Sequence, residues 1–204
     1  MATRYGLVLN GTTIQELQSG DTIIGLTSST ALQKGDGSTG ITAASAGTDY
    51  VAPGTATSFT AKQTFSGTSS AIASKFTNAL ELVTVSATAA TGTINYDVTT
   101  QSVLYYTSNA SANWTVNFRA SSGTSLDTAM ATGEAITVVF LVTQGATAYY
   151  NNAVTIDGSS VTPKYQGGTA WTSGNASGID AYSYTIVKTG SAAFTVFASQ
   201  TKFA

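Results

Sequence analysis

Gly35, Gly37 and Gly40 stand in the order G-x-G-x-x-G, the spacing that lets a backbone close around a dinucleotide pyrophosphate. That chemistry needs a strand before the glycines, a helix after them and an acidic residue near the end of a second strand. Here Ile41-Thr42-Ala43-Ala44-Ser45-Ala46-Gly47 follows, a poor helix start, and no strand–helix–strand unit is visible. Asp36, between the first two glycines, stands alone, whereas a hard cation draws several converging oxygens. Neither a nucleotide cofactor nor a metal is expected.

Covalent and acid–base chemistry is equally thin. The chain has no histidine and no cysteine, which removes the commonest general base and the thiol nucleophile. Serines are plentiful, and a Ser–Lys pair stays open from sequence alone. Glycoside cleavage needs two carboxylates facing each other across a bond, and the ten acidic residues are scattered singly. No catalytic residue is assigned, and the expectation is that the protein is not an enzyme. Four Asn-x-Ser/Thr matches, at Asn10, Asn109, Asn113 and Asn175, arise readily in so Thr/Ser-rich a chain.

Aromatic residues are the remaining candidates. Tyr105-Tyr106, Tyr149-Tyr150, Trp114 and Trp171 lie on or beside strand-like segments. Neighbouring strand residues face opposite sides, so one of each tyrosine pair points outward. Tyr106, Tyr149 and Trp171 are the surface candidates. Such rings either stack on a sugar or cap the core and line a subunit interface, the commoner use.

Composition says what frame carries these residues. Thr, Ala, Ser and Gly make up 111 of the 204 residues, and charged residues only 9%, against about 25% in an ordinary domain. The net charge is −2 and the eight basic residues are dispersed, so no stripe exists to neutralise phosphates of nucleic acid or an anionic membrane. No apolar run approaches the roughly 18 residues of a bilayer span, and the N-terminus does not read as a signal peptide. Without cysteine, stability rests on packing or on oligomerisation. A surface this poor in charge is built of neutral polar residues, is covered by other subunits, or both.

The pattern divides the chain near residue 70. Leu7-Val8-Leu9 and Thr12-Thr13-Ile14 flank Asn10-Gly11, a type I′ hairpin signal. Leu7, Leu9, Ile14 and Leu17 cluster there, and a hairpin alone cannot bury them, so residues 1–30 are read as an anchoring segment. Residues 31–70 carry isolated bulky residues, among them Ile41, Tyr50, Phe59 and Phe65. This stretch is either a flexible linker or a stalk ordered by wrapping around identical chains, with those four at the contacts. Residues 71–204 read as an all-β sandwich or jelly roll. Strands are expected at 80–86, 93–98, 103–107, 114–119, 135–143, 148–156, 160–163, 181–188 and 193–199. The run 135–143 is apolar on most of both faces, which predicts a central strand. Turns are expected at Ala90-Thr91-Gly92, Ser121-Ser122-Gly123, Asp157-Gly158, Gly167-Gly168 and Thr189-Gly190. Short helices are expected at 71–80, where Ile72, Phe76 and Leu80 recur every fourth residue, and at 126–131.

Three stretches carry a resemblance. LQKGDGSTGITAASAGTDYVAP (residues 32–53) resembles the connector repeats of bacteriophage fibre and head-fibre proteins, matching at Leu32, Lys34, Gly35, Gly37, Ala46, Gly47, Thr48, Asp49, Tyr50 and Pro53. Residues 4–23, RYGLVLNGTTIQELQSGDTI, look like the N-terminal segment of phage virion appendages. Residues 91–119 are also similar to virion proteins of environmental phages. The resemblance implies a homotrimer at the virion surface, partnered by the major capsid protein or another virion protein, with no cofactor. A single connector copy implies a short appendage: a capsid decoration (cement) protein or head fibre. The alternative is a tail fibre whose knob binds host surface glycan.

Overall fold

The computed structural model describes residue 59, residues 62–204, and the backbone of four short strands before them: β1 (Leu7–Asn10), β2 (Thr13–Glu16), β3 (Gln33–Gly35) and β4 (Ile41–Ala43). Two units result, Met1–Lys75 and Phe76–Ala204. In the first, β1 pairs with β2 and β3 with β4, both antiparallel. Asn10 lies opposite Thr13 and Leu9 opposite Ile14, so the turn falls one residue later than the Asn-Gly pair suggested. Of the G-x-G-x-x-G glycines, Gly35 ends β3, and Gly37 and Gly40 lie outside the described residues. Gly35 pairs with Ile41, and a strand rather than a helix follows.

The second unit is all-β apart from one short helix and one 3-10 turn. Its strands are β5 (Val83–Ala89), β6 (Gly92–Asp97), β7 (Val103–Ser108), β8 (Trp114–Arg119), β9 (Ala135–Thr143), β10 (Asn151–Ile156), β11 (Ser159–Val161), β12 (Lys164–Tyr165), β13 (Ile179–Gly190) and β14 (Ala193–Phe203). They form a six-stranded sheet, β12-β14-β13-β9-β7-β5, and a four-stranded sheet, β11-β10-β8-β6. From β5 to β10 successive strands alternate between the sheets, so each pairs in parallel with the strand two along. A parallel pair needs a crossover of a dozen or so residues, usually a helix. Here the crossover is a strand of the facing sheet. The Greek keys of a jelly roll are antiparallel, whereas this part of the chain winds as a flattened coil. Only the last hairpin, β13 with β14, and the β9–β13 and β10–β11 pairs are antiparallel.

Period-two alternation places the core between the sheets. Ile94, Tyr96, Trp114, Val116, Phe118, Val154 and Ile156 project from the four-stranded sheet. Leu104, Val138, Phe140, Val142, Tyr182, Tyr184, Ile186 and Val196 meet them from the other. Aromatic edges cross the interior: Trp114 lies 5.6 Å from Tyr182, Phe118 4.9 Å from Tyr184 and Tyr96 6.5 Å from Phe140, all tilted or perpendicular. Each such side chain contributes about 1.5–3 kcal/mol by burial, and a favourable aromatic pair adds about 0.5–1.5 kcal/mol.

Local signals explain the turns. Asp157 (φ 50°) and Gly158 (φ 80°) form the two-residue loop between Ile156 and Ser159, as Asp-Gly predicts for a type I′ turn. The Asp157 carboxylate also accepts from the backbone N–H groups of Leu126 (2.7 Å) and Asp127 (3.0 Å), at the start of α1 (Leu126–Ala129). Ser125 caps the same helix. The last hairpin turns later than Thr189-Gly190: Gly190 pairs with Ala193, leaving Ser191-Ala192 as the loop.

The helix expected at 71–80 does not form. The segment is irregular and exposed, with a small bridge between Thr68 and Ala71. Ile72, Phe76 and Leu80 are exposed among the described residues, and a helix this short is not stable unpacked. The strand expected at 80–86 begins three residues later, at Val83. The two-residue strand β12 carried no pattern long enough to read.

Candidate functional site

Three carboxylates of the second unit are engaged in ion pairs or a helix cap. Asp97 pairs with Arg119 at 2.5 Å, Asp127 with Lys188 at 2.7 Å, and Asp157 caps α1. The hydrogen bond from Lys188 holds the Asp127 carboxyl below its ordinary range. Among the described residues no three acidic side chains form a cluster suited to a metal, and no helix is long and apolar enough to cross a membrane. Ser199 and Lys202 do stand in S-x-x-K spacing, but on β14 rather than on a helix. An odd separation on a strand puts them on opposite faces, and the Lys202 Nζ is taken by the Gly174 carbonyl oxygen at 3.1 Å and Ser173 Oγ at 3.3 Å. That spacing therefore assembles no nucleophile and base.

What the fold does display is the outward side of the six-stranded sheet. Leu104, Phe140 and Tyr182 point into the core, so their strand neighbours point out. Register aligns Val83, Val103, Val139 and Ser183 on one rung, and Val85, Tyr105, Leu141 and Ala181 on the next. Val83 and Val85, on the edge strand β5, are 44% and 63% exposed, and Val103, Tyr105, Val139 and Leu141 are half-buried. No charged residue interrupts these two rungs. Strand β9 is interior to its sheet, as its doubly apolar pattern predicts, yet only its inner face is fully covered.

Towards β12 and β14 the same face turns polar and aromatic. Two adjoining depressions of about 510 and 230 Å³ share Gln166, Ala198 and Ser199. Tyr165 and Phe197 flank the larger, Trp171 and Gln200 the smaller. Phe197 is 51% exposed. Trp171 meets Tyr165 edge-on at 4.8 Å, leans on Tyr182 at 5.2 Å, and donates its indole N–H to the Asn151 carbonyl oxygen. Burial raises the Tyr165 hydroxyl above its ordinary pKa.

The loop carrying Trp171 is pinned by a buried carboxylate. Asp180 accepts from Gln144 Nε2 (2.9 Å), the Asn175 backbone N–H (3.0 Å) and Gln200 Nε2 (3.3 Å). Loss of solvent raises its pKa, against the lowering effect of these hydrogen bonds and of Lys202. Gly174 makes the approach feasible, since a Cβ there would run into the Tyr149 carbonyl oxygen and lie 2.7 Å from Asp180 Oδ2. Of this cluster only Asn175 was singled out from the sequence, and only as an Asn-x-Ser match. Its members are far apart in the chain, and only Asp180, an acid among apolar alternating neighbours, offered a hint.

Of the residues singled out from the sequence, Leu7 and Leu9 fall on β1, Ile14 on β2 and Ile41 on β4. Leu17 and Tyr50 lie outside the described residues. Phe59 and Phe65 are exposed. Tyr106 faces inward, its ring edge-on to Phe140 at 5.1 Å, so the outward ring of that pair is Tyr105. Tyr149 is half-buried against the core and its backbone N–H donates to Gln144. Trp171 is half-buried as described above, one face of the loop resting on the core. No family model, curated protein or solved structure matches the chain.

Proposed function

We propose that this chain is a structural protein of a bacteriophage virion, a short homotrimeric appendage that decorates or cements the capsid. Residues 1–30 anchor it, residues 31–70 form an extended stalk shared by three chains, and the sandwich is the outward knob. The observation that carries the reading is the run of bulky apolar side chains that one chain leaves uncovered. Phe65 is 64% exposed, Ile72 92% and Leu80 102%. One such residue every four to eight positions suits an extended chain winding beside identical chains, not a monomer's surface. The connector resemblance of residues 32–53 points to a virion appendage, and the low charge agrees with a surface partly covered by sister subunits.

The test is addition of full-length protein to tailless capsids lacking it. Co-sedimentation and a raised temperature of heat rupture are expected. Binding to isolated tails alone would overturn the decoration role. One observation favours a second reading, a tail fibre whose knob binds host polysaccharide: the trough at Tyr165, Trp171 and Phe197 offers rings beside Gln166 and Gln200. Retention of the knob on host glycan, lost in Phe197→Ala, would support that reading instead.

A further inference from the structure

We propose that the outward face of the six-stranded sheet, centred on Val85, Tyr105, Val139 and Leu141, is a second contact between copies of this chain, the three copies of the face converging about the threefold axis. The proposal rests on the homotrimer reading above and deepens it. Two aligned rungs across β5, β7, β9 and β13 give a patch about 19 Å wide and 13 Å high, or about 250 Å². All of it is neutral, so identical patches meet without like-charge repulsion. A glycan or a charged partner would find no hydrogen-bonding side chain on these rungs beyond the Tyr105 and Ser183 hydroxyls.

Size decides the order of events. A stable interface needs about 800 Å² on each partner, so this patch alone is too small to join free sandwiches. Chains already held together by their N-terminal segments face one another at millimolar effective concentration. The first strand after those segments is β5, the edge at which the apolar rungs begin. The exposed residues Phe76, Leu80 and Leu82 lead into it, with the one carboxylate of that stretch, Glu81, accepting from the Ser102 hydroxyl.

The chain contains no cysteine, which makes site-directed cross-linking clean. Full-length Leu141→Cys, Tyr105→Cys and, as a control on the outer face of the opposite sheet, Thr93→Cys are exposed to a short bismaleimide. Their masses are read by light scattering in parallel. Cross-linked pairs are expected at least ten-fold more abundantly at position 141 or 105 than at 93. Two positions guard against one variant failing to fold. A trimer with no excess of cross-links at either position overturns the sheet contact and leaves the trimer standing. A monomeric mass at micromolar concentration overturns both. Equal cross-linking at Thr93→Cys means random collision and also overturns the contact.

Discussion

Gln144 Nε2 donates to Asp180 Oδ2 across 2.9 Å of solvent-free interior, joining residues 36 apart in the chain. The amide follows β9 and the carboxylate opens β13, so the bond ties the ends of two paired strands to the loop that carries Trp171.

Burial raises the Asp180 pKa in the fold above its ordinary 3.8. The folded state therefore binds a proton that the unfolded state has already lost. Asp180's contribution is full below the unfolded value and is lost as pH rises through the raised one. Asp127, whose carboxyl is held low by Lys188, acts in the opposite sense, losing stability as pH falls below 3.8. The melting temperature of Asp180→Asn relative to the parent, followed from pH 7 to 4, should fall steadily. A difference that does not change with pH would show that Asp180 does not titrate in that window.

Gly174→Ala should displace the Trp171 loop, because the new methyl group meets the Tyr149 carbonyl oxygen and Asp180. Overpacking of this kind costs about 1–3 kcal/mol. Tryptophan emission should shift to the red while far-ultraviolet circular dichroism stays unchanged. Unaltered emission and stability would mean that the loop yields freely.

Phe140 is fully buried and touches rings from both sheets. The unit Phe76–Ala204 contains this core within itself, so it should unfold cooperatively when expressed alone. Phe140→Ala should lower its stability by about 3–5 kcal/mol, measured by denaturant titration, and Phe140→Asp should prevent folding by burying an unpaired charge. A gradual, non-cooperative melt of the isolated unit would contradict its independence.

Leu7, Leu9 and Ile14 belong to a two-stranded hairpin, a unit too small to be stable unsupported. Removal of residues 1–20 should leave the sandwich folded and reduce attachment to particles at least ten-fold, as read by co-sedimentation. Undiminished attachment would move the anchor elsewhere in the chain.

Runs of β-branched and aromatic residues located β8 and β9 to the residue, because those side-chain types fit a pleated, largely buried surface. Asp157-Gly158 announced its turn because only residues tolerant of positive φ fit there. The same reading could not say which strands are neighbours. Alternation reports which face is buried and not which strand lies alongside, so the parallel winding of β5 to β10 emerged only in three dimensions. Spacing at 72, 76 and 80 imitated a helix because periodicity is silent about whether a surface exists to receive the stripe. The choice of Tyr105 over Tyr106 as the outward ring depended on the register against Leu141. The partners of Asp180 depended on long-range closure, which brings residues 5 to 36 positions away onto one carboxylate.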